Sequence, residues 1–519
     1  MENSNDKKVL FRIINLKQYF PVGKKAFVKA NDGITLDIYE GETLGLVGES
    51  GCGKSTFGRT ILQLYRQTDG RSLYYGKTEH ELAPRYVKQT IKKLEKLRKH
   101  YLKAKHHRET LQAEYDQLTE DTKEKFAKLA ELKHAQTVED DALFDMTKVV
   151  GGLVVCENLD PVIEAYSHVF NISSDIRDLK IEKDEAKMNY DDAVFKIEKA
   201  KEKGKSKPSA ERTRDKSDEK MKTLDKKIAA LENKLKESEK KLVALRKEHE
   251  GDPLFEKYEA MRDDGIDLAR LTYNEIRLLR SELQMIFQDP YSSLNPRMTV
   301  ANIIGEGMLA HNMYKRHDER MRDHILKTMD DAGLQGYFIY RYPHQFSGGQ
   351  RQRIGIARSL AVNPKFVVCD EAVSALDVSI QSQIINLLKD LKDQQNLTYL
   401  FITHDLSVIK YISDRVAVMY LGNIVELADT VDIFANPRHP YTHALMSAIP
   451  TTDLDDDREM IPLEGDIPSP VNPPSGCKFH TRCKYCTDIC EHVIPEFEDL
   501  GDGHFVACHH KLPTGLGYN

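Results

Sequence analysis

The sequence predicts an α/β fold: a mainly parallel sheet covered by helices, divided by a long charged helical insertion and followed by a small cysteine-rich region. Three observations predict it. Residues 1–77 and 265–450 read as short apolar strands alternating with helices and punctuated by Gly-rich turns, the pattern of a helix-covered parallel sheet. Residues 78–264 are instead rich in Lys, Glu, Asp, Leu and Ala, with apolar residues recurring at spacings of three and four. Residues 451–519 hold five of the eight cysteines, between Cys477 and Cys508.

Length and charge bound the function. A chain of 519 residues has room for several domains and a full α/β core. A net charge of -6 and a pI near 6.4 leave no global basic excess, so no nucleic-acid partner is expected. No stretch approaches the roughly 18 apolar residues of a membrane span. The start, MENSNDKKVL, lacks an apolar signal core. A cytosolic location with peripheral attachment through a partner is the expectation. In a reducing compartment a cysteine cluster points to a metal before it points to disulfides.

Within the α/β regions the candidate strands are Leu44–Val47, Phe366–Cys369, Tyr399–Thr403 and Arg415–Met419. GESGCGKST at 48–56 follows the first and precedes a helix-like run from Phe57 to Tyr65, which is the strand–loop–helix context of a phosphate-binding loop. Gly48, Gly51 and Gly53 let backbone N–H groups wrap a phosphate chain, with Ser50, Cys52 and Thr56 completing the loop. The helix start adds its positive dipole end. Lys54 neutralises β- and γ-phosphate charge, and Ser55 ligates Mg²⁺. FVVCDE at 366–371 ends an apolar strand in two carboxylates: Asp370 for the metal's shell and Glu371 as general base toward water. Cys52 and Cys369 read as packing residues.

In the insertion, Met221, Leu224, Ile228, Leu231, Leu235, Leu242 and Leu245 make a heptad-like seam with Ser238 at one position. A looser seam runs through Ile91, Leu94, Tyr101, Leu111, Tyr115, Leu118, Leu129 and Leu132. A less charged middle, Val149–Cys156, separates the arms. The expectation is one antiparallel coiled-coil hairpin with this middle at its tip, the alternative being a solvated, partly disordered charged helix. The run KEKGKSKPSAERTRDK (201–216) is expected to break or fray the second arm. The last region opens on the acidic run DLDDDRE and the Pro-rich IPSPVNPPSG, and is short enough to benefit from a staple.

Further motifs make the chain resemble the ABC ATPases. FSGGQRQR at 346–353 resembles their signature, with Phe346 where Leu is usual. The resemblance implies that Ser347, Gly348, Gly349 and Gln350 contact the γ-phosphate bound by an opposite subunit. It casts Gln288 as the Q-loop glutamine, sensing metal and γ-phosphate. It makes Ser374–Asp377 the D-loop, with Asp377 at the nucleotide, and His404 the switch histidine. Phe20, or its neighbour Tyr19, becomes the residue that stacks on adenine. Ala372 stands where Pro is common, which removes no ligand.

QMIFQDPYSSLNPRMTV, RYPHQFSGGQRQRIGIARSL, DEAVSALDVSIQ, THDLSVIKYISDRVAVMYLG and NPRHPYTHALMSAIP narrow the resemblance to oligopeptide/dipeptide permease ATPases, F-type subunit, over about 330 residues that exclude the insertion. The family implies a second ABC ATPase as heterodimer partner, two transmembrane permease subunits, and a substrate-binding protein that delivers peptide at the inner membrane. It places the coupling surface at Tyr291–Arg297. Nickel or other solute importers share these motifs. Cys477-x5-Cys483-x6-Cys490-x17-Cys508 resembles the family's four-cysteine tail, which carries a [4Fe–4S] cluster. From the residues alone an Fe–S cluster, Zn²⁺ or free thiols all remain open, and Cys486 is an extra thiol inside the pattern. A coiled coil dividing an ABC ATPase also resembles the SMC-like DNA-repair ATPases, but here it precedes Gln288 and carries no Cys-x-x-Cys hook.

Overall fold

The computed structural model describes residues 7–23, 26–118, 123–316, 318–374, 376–449, 460–501 and 503–517; the acidic run 453–459 and Ala375 of the D-loop lie outside them. Strands β1 (Val9–Val22), β2 (Ala26–Tyr39), β4 (Asp69–Tyr74) and β5 (Ile266–Asp267) form an antiparallel sheet in the order β2-β1-β4-β5. The larger sheet runs β11-β12-β10-β9-β3-β8-β7-β6. Its centre is parallel: β6 (Leu283–Ile286), β7 (Phe366–Asp370), β8 (Thr398–Ile402), β3 (Thr43–Val47) and β9 (Arg415–Tyr420). All four strands expected from sequence lie here, within a residue or two of their expected bounds.

These central strands read as unbroken apolar runs because both faces are covered. Successive side chains go to opposite faces. Val367, Tyr399, Phe401, Val416 and Val418 enter one core, while Phe366, Val368, Leu400, Ile402 and Met419 enter the other, between the two sheets. Antiparallel β10 (Asn423–Asp429), β11 (Glu498–Asp499) and β12 (Phe505–Val506) extend the edge, so two strands of the cysteine-rich region continue the main sheet. A separate apolar cluster, with Ile304, Met308, Met329 and Phe346, joins helices α10 (Val300–Ala310), α11 (Glu319–Asp331) and α12 (Gly348–Leu360).

The insertion begins and ends on neighbouring strands: Tyr74 of β4 pairs with Ile266 of β5. It passes through short helices α2 (Glu79–Leu82) and α3 (Arg85–Lys92), four long helices, and α8 (Pro253–Glu259). The long helices are α4 (Leu94–Asp116), α5 (Lys123–Thr147), α6 (Asp160–Glu202) and α7 (Pro208–Lys247). The expected single hairpin is corrected here, because the extensive pairings are α4 with α5 and α6 with α7. The expected tip is instead the root, where fully buried Val150 and Leu153 pack with Phe255 and Tyr258. The run at 201–216 breaks the helix, as expected, between Glu202 and Pro208: Gly204 takes φ +63° and Pro208 opens α7, so the chain reverses there. The seam of α7 therefore faces α6, with Ile228 against Ile172 and Ile176. Ser238, the polar seam position, meets His168 Nδ1 of α6 at 2.9 Å.

Both helix pairs touch the rest of the chain. Lys133 of α5 pairs with Glu496 at 3.1 Å in the cysteine-rich region, and Asp192 of α6 pairs with Lys315 at 3.5 Å near α11. No helix among the described residues is long and apolar enough to cross a membrane.

Candidate nucleotide site

Parallel strands deliver their loops to one edge of a sheet, and ligands bind there. β3 ends at Val47 and turns directly into the Gly-rich loop, which α1 (Lys54–Ile61) closes. Two glycines are required by contact. A Cβ on Gly53, at φ +106°, would lie 2.1 Å from the Ala30 carbonyl oxygen, and one on Gly48 would lie 2.1 Å from that of Met419. Both approaches are closer than any side chain permits, so the loop sits tight against β2 and β9. Lys54 is buried, and its Nζ donates to the carbonyls of Gly48 and Glu49 at 2.8 and 3.1 Å.

The loop borders a cleft of about 380 Å³ that is also lined by Phe20, Gln288 and Glu371. Ser50, Gly51, Cys52, Gly53, Lys54, Ser55 and Thr56 all line it, and Gly48 lies beneath the loop. Phe20 is edge-on to Tyr65 with centroids 5.4 Å apart. Tyr19 is committed elsewhere, its hydroxyl donating to Asp32, which leaves Phe20 to face a base. Cys52 is buried and its thiol is raised by that burial.

At the end of β7, Asp370 is fully buried. Its Oδ2 accepts from Arg59 of α1 at 3.1 Å, while Oδ1 is buried with no hydrogen-bond partner. A buried carboxylate oxygen without a donor awaits one. Magnesium with its water shell fits that need, alongside the Ser55 hydroxyl and Gln288 amide of the cleft. Arg59 is a residue that sequence reasoning missed, although its place one turn into the phosphate-loop helix was the available signal.

Glu371 has φ +46°, a left-handed conformation that costs a non-glycine residue of order 1 kcal/mol or more. Its N–H donates to the Ile402 carbonyl at 2.9 Å, which holds the turn. Its Oε2 accepts from Gln288 Nε2 at 2.5 Å, and Oε1 lies 3.5 Å from His404 Nδ1. Three residues distant in sequence are thus drawn together around one carboxylate. His404 is exposed, so this group opens to solvent.

The signature residues sit apart. Ser347 caps α12, accepting from the Gln350 N–H at 3.4 Å, while the Gln350 side chain accepts from the Ser347 N–H at 3.1 Å. Ser347 is exposed, and Ser347, Gly348, Gly349 and Gln350 do not line the cleft. Asp377 is exposed at the start of α13 (Val378–Gln395) and is also outside it.

In the cysteine-rich region the Cys477 N–H donates to the Cys490 carbonyl at 2.8 Å. Burial, with the neighbouring thiols of Cys477, Cys483 and Cys490, pushes the Cys508 thiol up to about 12. Burial likewise pushes Cys477 up to about 11. Cys486 lies at the margin, its thiol raised by burial and then by Cys490. The four expected ligands therefore share one neighbourhood. They differ from the expected set in that, among the described residues, no group of three or more His, Cys, Asp or Glu is placed to hold a metal ion.

The fold and cleft define a nucleotide-binding protein with its phosphate loop at a strand end. A family model described as ABC transporter matches residues 31–152 and 244–374, and one described as Oligopeptide/dipeptide transporter, C-terminal region, matches 425–490. The oligopeptide transport ATP-binding protein AppF of Bacillus subtilis is 49% identical over 271 residues, covering 52% of this chain and 79% of its own. The putative oligopeptide transport ATP-binding protein YkfD of the same organism is 34% identical over 502 residues, covering 96% of this chain and 95% of its own, insertion included. A putative peptide import ATP-binding protein of Brucella ovis is 52% identical over 247 residues, covering 47% of this chain and 77% of its own. The chain belongs to the ABC transporter ATP-binding proteins, and its chemistry is ATP hydrolysis with Mg²⁺.

Proposed function

We propose that this chain is an ATP-hydrolysing subunit that energises import of oligopeptides or dipeptides through a membrane complex. It works at the inner face of the membrane beneath two permease subunits, paired with a second ABC ATPase and served by a peptide-delivering binding protein. The observation that carries the reading is a cis half-site gathered at one cleft, with an exposed signature turn set apart from it. Lys54 takes the phosphates, Ser55 would hold the Mg²⁺, and Glu371, held by Gln288 and near His404, takes the proton of the attacking water. Mg²⁺, when bound, neutralises charge on the β- and γ-phosphates. The Ser347–Gln350 turn opens outward at Ser347, where a partner's nucleotide completes it. The names of the relatives support peptide as cargo over nickel or other solutes.

The test is purification of the intact complex. Copurifying hydrophobic permease subunits and ATP hydrolysis stimulated by peptide-loaded binding protein are expected; DNA-stimulated hydrolysis without such subunits would overturn the reading in favour of a repair ATPase.

Four finer assignments belong to the same proposal. The nucleotide-binding domain is 1–77 with 265–450, the coiled-coil insertion 78–264 and the cysteine-rich domain 451–519; the β4–β5 pairing supports the first division. Tyr291–Arg297 is the coupling surface: Tyr291 is exposed, and Arg351 of the signature helix α12 lies 3.9 Å over its ring. Cys477, Cys483, Cys490 and Cys508 are the residues that would hold a [4Fe–4S] cluster, or Zn²⁺, which their mutual proximity supports. An anaerobic absorption spectrum with metal analysis separates iron, zinc and free thiols. The insertion serves as a docking arm for the paired ATPase or another cytosolic partner. Deleting 80–262 is expected to leave nucleotide binding intact and weaken assembly, and normal assembly and transport would reject that role.

A further inference from the structure

The cysteine-rich region reaches into the nucleotide site through the short span between Cys477 and Cys483. Arg482 forms a two-pronged ion pair with Glu49 of the phosphate loop, Nη1 to Oε2 at 2.8 Å and Nη2 to Oε1 at 3.2 Å. Lys478, at the other end of the span, donates to Asp32 at 2.9 Å and to the Leu421 carbonyl at 3.1 Å. Between them Phe479 packs on Tyr420 and Tyr441 with centroids 5.2 and 5.4 Å away. The hydroxyl of Tyr441 accepts the Glu49 N–H at 2.9 Å. Glu49 is thus gripped at both side chain and backbone by elements that follow β9 in sequence.

Exposed ion pairs contribute little. This one differs: the Arg482 side chain is only 5% exposed, its partner 23%, and the geometry is the bidentate fork that guanidinium and carboxylate share. The pair also bears on chemistry, because the Glu49 carbonyl is one of the acceptors holding Lys54 Nζ, with the Gly48 carbonyl and the Cys52 sulfur. A shift of Glu49 moves the lysine that meets the phosphates. A bare Glu49 carboxylate would in addition stand beside a polyanion without compensation.

We propose that Arg482 is a positioning residue of the nucleotide site, fixing the phosphate loop through Glu49, and that the cysteine-rich region thereby sets the affinity for ATP. The inference rests on the ATPase reading above and extends it to a segment outside the ATP motifs. The experiment is a double-mutant cycle in the assembled complex, R482Q, E49Q and both together, with R482K as the conservative variant. ATP titrations give KM and kcat, a fluorescent ATP analogue gives affinity directly, and thermal melts report folding. R482Q is expected to raise KM about tenfold with kcat within about twofold, and R482K to raise it less. The double variant is expected to be no worse than R482Q alone. An unchanged KM in folded R482Q, or effects that multiply as for independent sites, would overturn the clamp. If R482Q does not fold, an unchanged KM in R482K together with E49Q overturns it equally. Absence of ATP binding in the unsubstituted complex would instead sink the underlying ATPase reading.

Discussion

The phosphate loop and the signature turn are both glycine-containing helix starts, yet the molecule treats them in opposite ways. The loop is enclosed: its glycines press on β2 and β9, Lys54 is buried, and Glu49 is held from two directions. The signature turn satisfies its own N–H groups through the Ser347–Gln350 capping box and presents Ser347 to solvent. The contrast suits the pairing proposed above. A loop that binds phosphate within its own chain is preorganised by that chain, whereas under that proposal the turn's phosphate arrives with another subunit, and the turn stays on the surface with its caps filled.

The sharpest way to test this contrast is to act on the enclosed side first. Glu371→Gln keeps the shape and removes the proposed base, so kcat in the assembled complex is expected to fall about 10²- to 10⁴-fold while ATP binding persists. Phosphate release and nucleotide-retention assays read the two quantities separately. On the exposed side, Ser347→Arg is expected to leave nucleotide affinity of the isolated chain within about twofold. In the assembled pair it is expected to lower hydrolysis at least about tenfold, by blocking the partner's phosphate. Equal loss of binding by the isolated chain would break the comparison.

A smaller effect comes from pH. His439 is buried, and that burial lowers its imidazole to about 4; its backbone N–H donates to Glu426, and Nδ1 accepts the Tyr441 N–H. The neutral form is the folded one. The stability it contributes is present above the unfolded value of about 6.5 and is lost as pH falls through 4, on the order of 3 kcal/mol in all. Because Tyr441 supports Glu49, acid is expected to loosen the phosphate side before the signature side. Denaturation midpoints and ATP affinity followed from pH 7 to 4 check this, and His439→Gln is expected to flatten the profile.

Much of the site was legible because its chemistry is written in contiguous runs. GESGCGKST, FVVCDE and SGGQ each carry ligand, turn and helix start together, and Gln288 and His404 follow apolar strands. What was not legible depends on tertiary approach. The left-handed backbone of Glu371, the Arg59–Asp370 pair and the Arg482–Glu49 pair join residues that nothing local connects. The strands β1 and β2 were missed because polar residues interrupt them: Lys17, Gln18, Asn31 and Asp32 lie within otherwise apolar runs. In the insertion the spacing marks the seam of α7 but not the helix that this seam faces. α6 carries its own row at Tyr166, Val169, Ile172 and Ile176, and Gly204 with Pro208 sets the reversal that joins the two.

The pairing of Tyr74 with Ile266 carries a consequence for how such a chain tolerates change. To the parent sheet, the whole excursion between them is a connection between adjacent antiparallel strands, the same topological task that a tight turn performs. The entropy of closing a connection grows only with the logarithm of its length, about 0.6 kcal/mol per doubling, and a folded excursion brings its own ends together. Lengthening, exchanging or trimming the outer parts of the helices is therefore compatible with an unchanged β4–β5 register, and the contacts such changes put at stake are Lys133–Glu496 and Asp192–Lys315. The insertion is a cartridge hung on two neighbouring strands, free to change length wherever it does not meet Glu496 or Lys315.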